Sequence, residues 1–247
     1  MAEIKPQIIG IGAGHHNSDL YKTTQRLMKT GNWKKQRVIM IIPAAEKIPT
    51  KVYLSHRALA FPPNQSAHVM GAIGMEVGEA FSNAIEQILQ HPDLSQWEYI
   101  LTIEHDNIPE GGDALLKLIE RMEQHPEYAC IGGLYFTKGF NGCSQIWGDD
   151  KDPIMNFRPQ LPDPNGGLVP CCGTGMGFNL WRLDMFKDER LRRPWFKTLA
   201  GKEGVSTQDL YFWGNARKFG YRCAVDCSVK VGHYDLEGNF GIPDYVW

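Results

Sequence analysis

Two carboxylates and an imidazole close an apolar run in "YILTIEHDNIP", residues 99–109. Glu104 and Asp106 stand two apart on a segment that reads as extended, so their side chains point the same way. Ionised groups resist burial unless they are paired or hold a metal, so this tip is either a solvated turn or a site. Asp106 is a short, hard ligand of the kind that binds Mg²⁺ or Mn²⁺ against a diphosphate. Two further residues bear on the same chemistry. Asp209, at a helix start in "TQD", either complements the helix dipole or accepts a proton from a hydroxyl as a general base. His233, after "VKVG", is structural unless the fold carries it to Asp106, where an imidazole becomes a metal ligand. Two glycine strings are weaker signals. "GTGMG" (173–177) suits close approach of backbone to a substrate or neighbouring strand rather than a phosphate cradle. "IIGIGAGHH" (8–16) resembles a dinucleotide-binding turn, but His15 holds the place of the third glycine and Glu46 comes too late to be the usual acidic partner.

The elements that must position these groups alternate. "RVIMIIPAA" (37–45) and "YILTI" (99–103) are continuous apolar runs, as expected of strands buried on both faces. "SAHVMGAIGMEVG" (66–78) is a weaker strand. "EAFSNAIEQILQH" (79–91) has apolar residues at helical spacing. Asp113 is placed to cap the helix "ALLKLIERMEQH", and "YACIGGLYF" (128–136) returns as a strand. Residues 137–169, rich in Gly, Asp, Asn and Pro, read as a long functional excursion. The spacing then predicts order over 168–186, a helix over 206–221 and a strand over 223–235. An earlier helix is expected through Leu20, Thr24, Leu27 and Met28. Strand–helix alternation implies an open α/β sheet with parallel strands, in which ligands bind beyond the carboxyl ends of the strands, the edge that carries the acidic tip.

In their order, these pieces resemble a glycosyltransferase of the GT-A fold, closest to the family 2 type, over about residues 37–235. The resemblance implies an open mixed sheet of Rossmann-like βαβ units flanked by helices. Residues 37–247 would form one catalytic domain with a donor half (37–136), an acceptor half (137–235) and a lid (236–247), behind an N-terminal extension (1–36). "IMIIPA" is similar to the family's first strand, whose end contacts the nucleotide, here Pro43, Ala44 and Glu46. "EVGEAFSNAIEQIL" resembles the segment written Ala-Arg-Asn, with Ser82 in place of the arginine and Asn83 kept. "IEHD" matches the DxD motif, implying a ribose or metal-water contact for Glu104 and metal coordination for Asp106. On the acceptor side stand Gly175, Trp195 and Gln208. Gln208 replaces a glutamate beside Asp209, the implied catalytic base, and His233 is carried over as the second metal ligand. The implied reaction moves a sugar from a nucleotide-diphosphate sugar to an acceptor hydroxyl with Mn²⁺ or Mg²⁺. Competing readings are a nucleotidyltransferase acting on sugar phosphates, which lacks an early Gly-rich signature here, and a non-catalytic nucleotide- or carbohydrate-binding module.

Composition bounds the rest. With 247 residues, 43% of them apolar and 22% charged, there is ample chain for a core. The formal charge of −2 argues against a dedicated nucleic-acid surface, "RLRRPWFK" being a local basic patch. No apolar run reaches membrane-spanning length and "MAEIKPQ" lacks signal-peptide character, so the expected address is the cytoplasm. The six cysteines have no zinc-ribbon spacing and are expected as reduced, mostly buried thiols.

Overall fold

The computed structural model describes residues 20–31, 37–63, 65, 67–139, 142–200 and 206–235. The glycine string at 8–16 and the expected lid at 236–247 lie outside them. The described chain forms α1 (Leu20–Thr30), β1 (Val38–Ala44), α2 (Thr50–Arg57), β2 (His68–Ile73), α3 (Val77–Gln90), β3 (Tyr99–Ile103) and β4 (Asn107–Pro109). It continues through α4 (Ala114–Gln124), β5 (Cys130–Leu134), β6 (Ile146–Asp149), β7 (Leu168–Thr174), β8 (Phe178–Arg182), α5 (Gln208–Ala216) and β9 (Cys223–His233).

The strands make one nine-stranded sheet in the order β2-β1-β3-β8-β5-β9-β7-β6, with β4 paired to the end of β9. β2, β1 and β3 run parallel, β8 is antiparallel to both β3 and β5, and β5 and β9 are again parallel. This is the open mixed sheet flanked by helices that the resemblance implies. The alternation by itself predicts parallel strands, and β8, antiparallel to both its neighbours, and β7, antiparallel to β9, depart from that. The continuous apolar runs follow from burial on both faces. Ile39 and Ile41 of β1 and Ile100 of β3 face the layer of α3 and α5, while Val38, Met40, Ile42, Leu101 and Ile103 face α1 and α4. Alternate side chains thus enter two separate cores.

Several local expectations shift. Helix α3 begins at Val77 because Glu76 caps it, its Oε2 accepting from the Gly78 and Glu79 amides at 2.8 and 3.1 Å. Asp113 is no side-chain cap for α4. It is fully buried, accepting from the Thr23 hydroxyl of α1 and pairing with Lys117. The excursion at 137–169 contributes β6, which extends the sheet beyond β7. All six cysteines are free thiols and five are buried.

Candidate active site

Parallel pairing brings the carboxyl ends of β1 and β3 to one edge. Beyond β3 the chain turns, the Asn107 amide donating to the Glu104 carbonyl at 3.1 Å, and then pairs as β4 with the last residues of β9. That pairing sets Asn107 opposite His233, so residues 126 apart in sequence meet across a ladder. Asp106 Oδ2 lies 3.5 Å from His233 Nε2. His233 Nδ1 is 2.8 Å from the Phe136 carbonyl and donates to it, leaving Nε2 as the ring atom that faces the carboxylate.

The same Asp106 oxygen accepts from Lys138 Nζ at 2.7 Å. Burial alone raises the Asp106 carboxyl, but His233 and Lys138 together hold it well below the usual carboxylate range. Glu104 goes the other way. Loss of hydration, then the negative charges of Asp106 and Asp209, push it up to about 8. Asp209, buried at the first turn of α5, is raised by burial against hydrogen bonds from Thr207 and the Leu210 amide. Its Oδ1 accepts from that amide at 2.9 Å. Glu104 thus feels the charges of both Asp106 and Asp209, and both Glu104 and Asp209 are displaced towards the protonated form, chiefly by burial.

Tyr135 lies at the centre. Its hydroxyl accepts from the Gly177 amide at 2.9 Å, its ring meets His233 edge-on at 5.7 Å, and burial together with Glu104 and Asp209 raises its pKa well above the ordinary value. A Cβ on Gly175 would lie 2.2 Å from the Tyr135 hydroxyl oxygen and 2.6 Å from Gln145 Oε1. The glycines thus allow close approach, but to these side chains. Tyr135 and Lys138 are absent from the sequence-derived set. So is His56, buried on α2, whose Nε2 donates to the Asn107 carbonyl at 2.9 Å and so holds the turn that carries Asp106.

The remaining expected residues scatter. Pro43 and Ala44 are buried at the end of β1, and Glu46 is exposed just beyond. Asn83 is exposed on α3, with Met75 Sδ at 3.6 Å from its Nδ2. Gln208 starts α5 against Gly78 of α3. Trp195 needs correcting: it is 2% exposed, set against Phe186 at 5.7 Å in the aromatic core with Trp181, Phe196 and Phe212, so it lines no acceptor pocket. Ser82 ties α3 to the same core, its hydroxyl accepting from the Phe196 amide at 3.1 Å. A cavity of about 410 Å³ beside Phe136 and Lys230 contains none of the sequence-derived site residues.

No protein-family model matches the chain, and no curated protein does. Among solved structures the chain is similar to A197 from STIV, at 15% identity over 81% of this chain and 86% of that one, with a TM-score of 0.57. That likeness shows a shared fold. The CMP:2-keto-3-deoxy-manno-octonic acid synthetase solved with CTP overlaps more loosely, at 10% identity over 77% of this chain and 89% of that one, with a TM-score of 0.43, too low to argue from. Among the described residues no helix is long and apolar enough to cross a membrane.

Proposed function

We propose that this chain is a metal-dependent glycosyltransferase, one catalytic domain over 37–247 that moves a sugar from a nucleotide-diphosphate donor to an acceptor hydroxyl. The observation that carries the reading is the meeting of Asp106 with His233, whose Nδ1 is committed to Phe136 so that Nε2 is left as a ligand atom. One carboxylate oxygen and one imidazole nitrogen fit Mn²⁺ or Mg²⁺. Among the described residues no cluster of three or more His, Cys, Asp or Glu side chains is arranged to hold a metal. The remaining positions would fall to phosphate oxygens and water, as is usual where Mg²⁺ binds with a nucleotide. When bound, such an ion supplies positive charge for the departing diphosphate.

The chain's own groups do the rest. Asp209 accepts the acceptor's proton as the hydroxyl oxygen attacks the anomeric carbon and the bond to the diphosphate breaks, giving inversion. Its raised proton affinity suits that task. Glu104, next to it, holds its proton near neutral pH and can hydrogen-bond a ribose or a metal-bound water. The test is to incubate the protein and Asp209→Asn with UDP-, GDP-, CDP- and dTDP-activated sugars and Mn²⁺. Wild-type protein is expected to release nucleoside diphosphate from one donor class. The variant should bind that donor as before and turn over at least about a hundredfold more slowly, the loss of one general base. Equal turnover by both proteins removes Asp209 from the mechanism, and no release from any donor removes the reading.

A further inference from the structure

Lys138, which follows β5 by four residues, shares a single carboxylate oxygen with an imidazole. Its Nζ is 2.7 Å from Asp106 Oδ2, the atom that His233 Nε2 approaches to 3.5 Å. The pair is partly shielded, with 23% of the lysine side chain and 11% of the aspartate exposed. A divalent cation held by Asp106 and His233 cannot coexist with an ammonium on that oxygen, because positive charges so close in a shielded cleft repel strongly. The ammonium sits on a flexible four-carbon stem with three donors. It can therefore leave without moving the backbone, and the strongest acceptors that arrive with the metal are diphosphate oxygens.

We propose that Lys138 is an exchangeable cation and a diphosphate-binding residue. It neutralises Asp106 while the cleft is empty and transfers to a phosphate oxygen of the nucleoside diphosphate when a divalent cation takes its place. The inference rests on the donor-site reading above and adds a residue and an order of events to it. Two facts separate this lysine from an ordinary surface ion pair. Its partner is the carboxylate that the fold aims at His233, and the backbone just before it, at Phe136, orients that histidine. A movement of Lys138 is thus possible while the imidazole stays fixed.

The experiment is calorimetric titration of wild-type protein and Lys138→Met with Mn²⁺ alone, then with UDP, GDP, CDP and dTDP in the presence of saturating Mn²⁺. Lys138→Gln is a second neutral variant in case the first is poorly folded, and Lys138→Arg retains the charge. The neutral variants are expected to bind Mn²⁺ alone about tenfold more tightly and the preferred diphosphate about tenfold more weakly, while Lys138→Arg stays within about threefold of wild type for the diphosphate. Unchanged or weaker Mn²⁺ binding in the neutral variants overturns the exchange, and so does unchanged diphosphate binding. A wild-type protein that binds none of the four diphosphates with Mn²⁺ fails the donor-site reading itself, and the exchange falls with it. The two failures are distinct because the first is read only against a wild type that binds.

Discussion

Strand β9 carries two acid–base centres, one near its middle and one at its end. In the middle, Asp226 is fully buried and accepts from Arg121 Nε at 2.7 Å, from the Ser228 amide at 2.9 Å and from the Ser228 hydroxyl at 2.6 Å. It stands where β9 slips out of register with β5, between the Gly133–Asp226 and Leu134–Lys230 pairs. At the end, His233 meets Asp106, which also has a cation at 2.7 Å. The difference lies in what surrounds each pair. Asp226 has its acceptors filled by fixed donors and serves the fold. Asp106 shares one oxygen between a flexible lysine and a fixed imidazole, and its charge helps to raise the carboxyl of neighbouring Glu104. A buried aspartate paired to a cation is therefore no mark of function by itself; crowding by like charge is what separates the two.

The largest effect on stability should come from the filled centre. Asp226→Ala leaves Arg121 and the bulge without their common acceptor and is expected to cost about 3 kcal/mol in urea unfolding; a loss below about 1 kcal/mol would place Asp226 with the surface pairs. His56 comes next. Burial lowers its pKa to about 4 against 6.5 for a free imidazole, so the unfolded chain takes up a proton before the folded one does. Stability is then complete above about pH 6.5 and falls by roughly 3 kcal/mol as the pH drops towards 4, at 1.36 kcal/mol per pKa unit. His56→Gln retains a donor for the Asn107 carbonyl and should lose that slope.

Glu104 inverts the sign. With its folded pKa raised to about 8, the native state keeps a proton that the unfolded state releases above about 4.5, so stability falls as the pH rises between these values. Glu104→Gln should therefore stabilise the protein at pH 8, by at least about 1 kcal/mol in the same unfolding assay. Substitution of the crowded centre stabilises where substitution of the filled centre destabilises, and a loss of stability in Glu104→Gln at pH 8 would erase the contrast. The smallest effect is at Ser82→Ala. It leaves the Phe196 amide without the hydroxyl that it donates to, at a cost of about 0.5–1 kcal/mol, and should leave nucleotide binding unaltered.

How much of this is legible in the chain depends on the range of the interaction. The strands "RVIMIIPAA" and "YILTI" declare themselves because each must feed two cores, and the acidic tip declares itself because charge at the end of such a run is out of keeping. Trp195 misleads because an aromatic side chain suits a sugar pocket and a core equally well, and only the neighbouring Phe186, Phe196 and Phe212 decide between them. Lys138, Tyr135 and His56 escape notice because nothing near them in sequence marks them. Lys138 and His56 gain meaning from long-range partners, Asp106 thirty-two residues away and Asn107 fifty-one away. Ser82 and Gln208, which differ from the pattern that the sequence otherwise resembles, differ in kind: Ser82 has a packing reason in Phe196, whereas nothing in the structure explains Gln208.

The central claim is that Asp106 and His233 form a cation-dependent nucleotide site, and thermal unfolding tests it most directly. The melting temperature would be measured with UDP, GDP, CDP and dTDP, each with and without Mn²⁺, for wild-type protein and Asp106→Ala. At about a hundred times its dissociation constant a ligand stabilises by roughly 2.7 kcal/mol. The predicted result is a shift of several degrees that requires both one nucleotide and Mn²⁺ and is absent from the variant. No shift with any pair, or the same shift in Asp106→Ala, would contradict it.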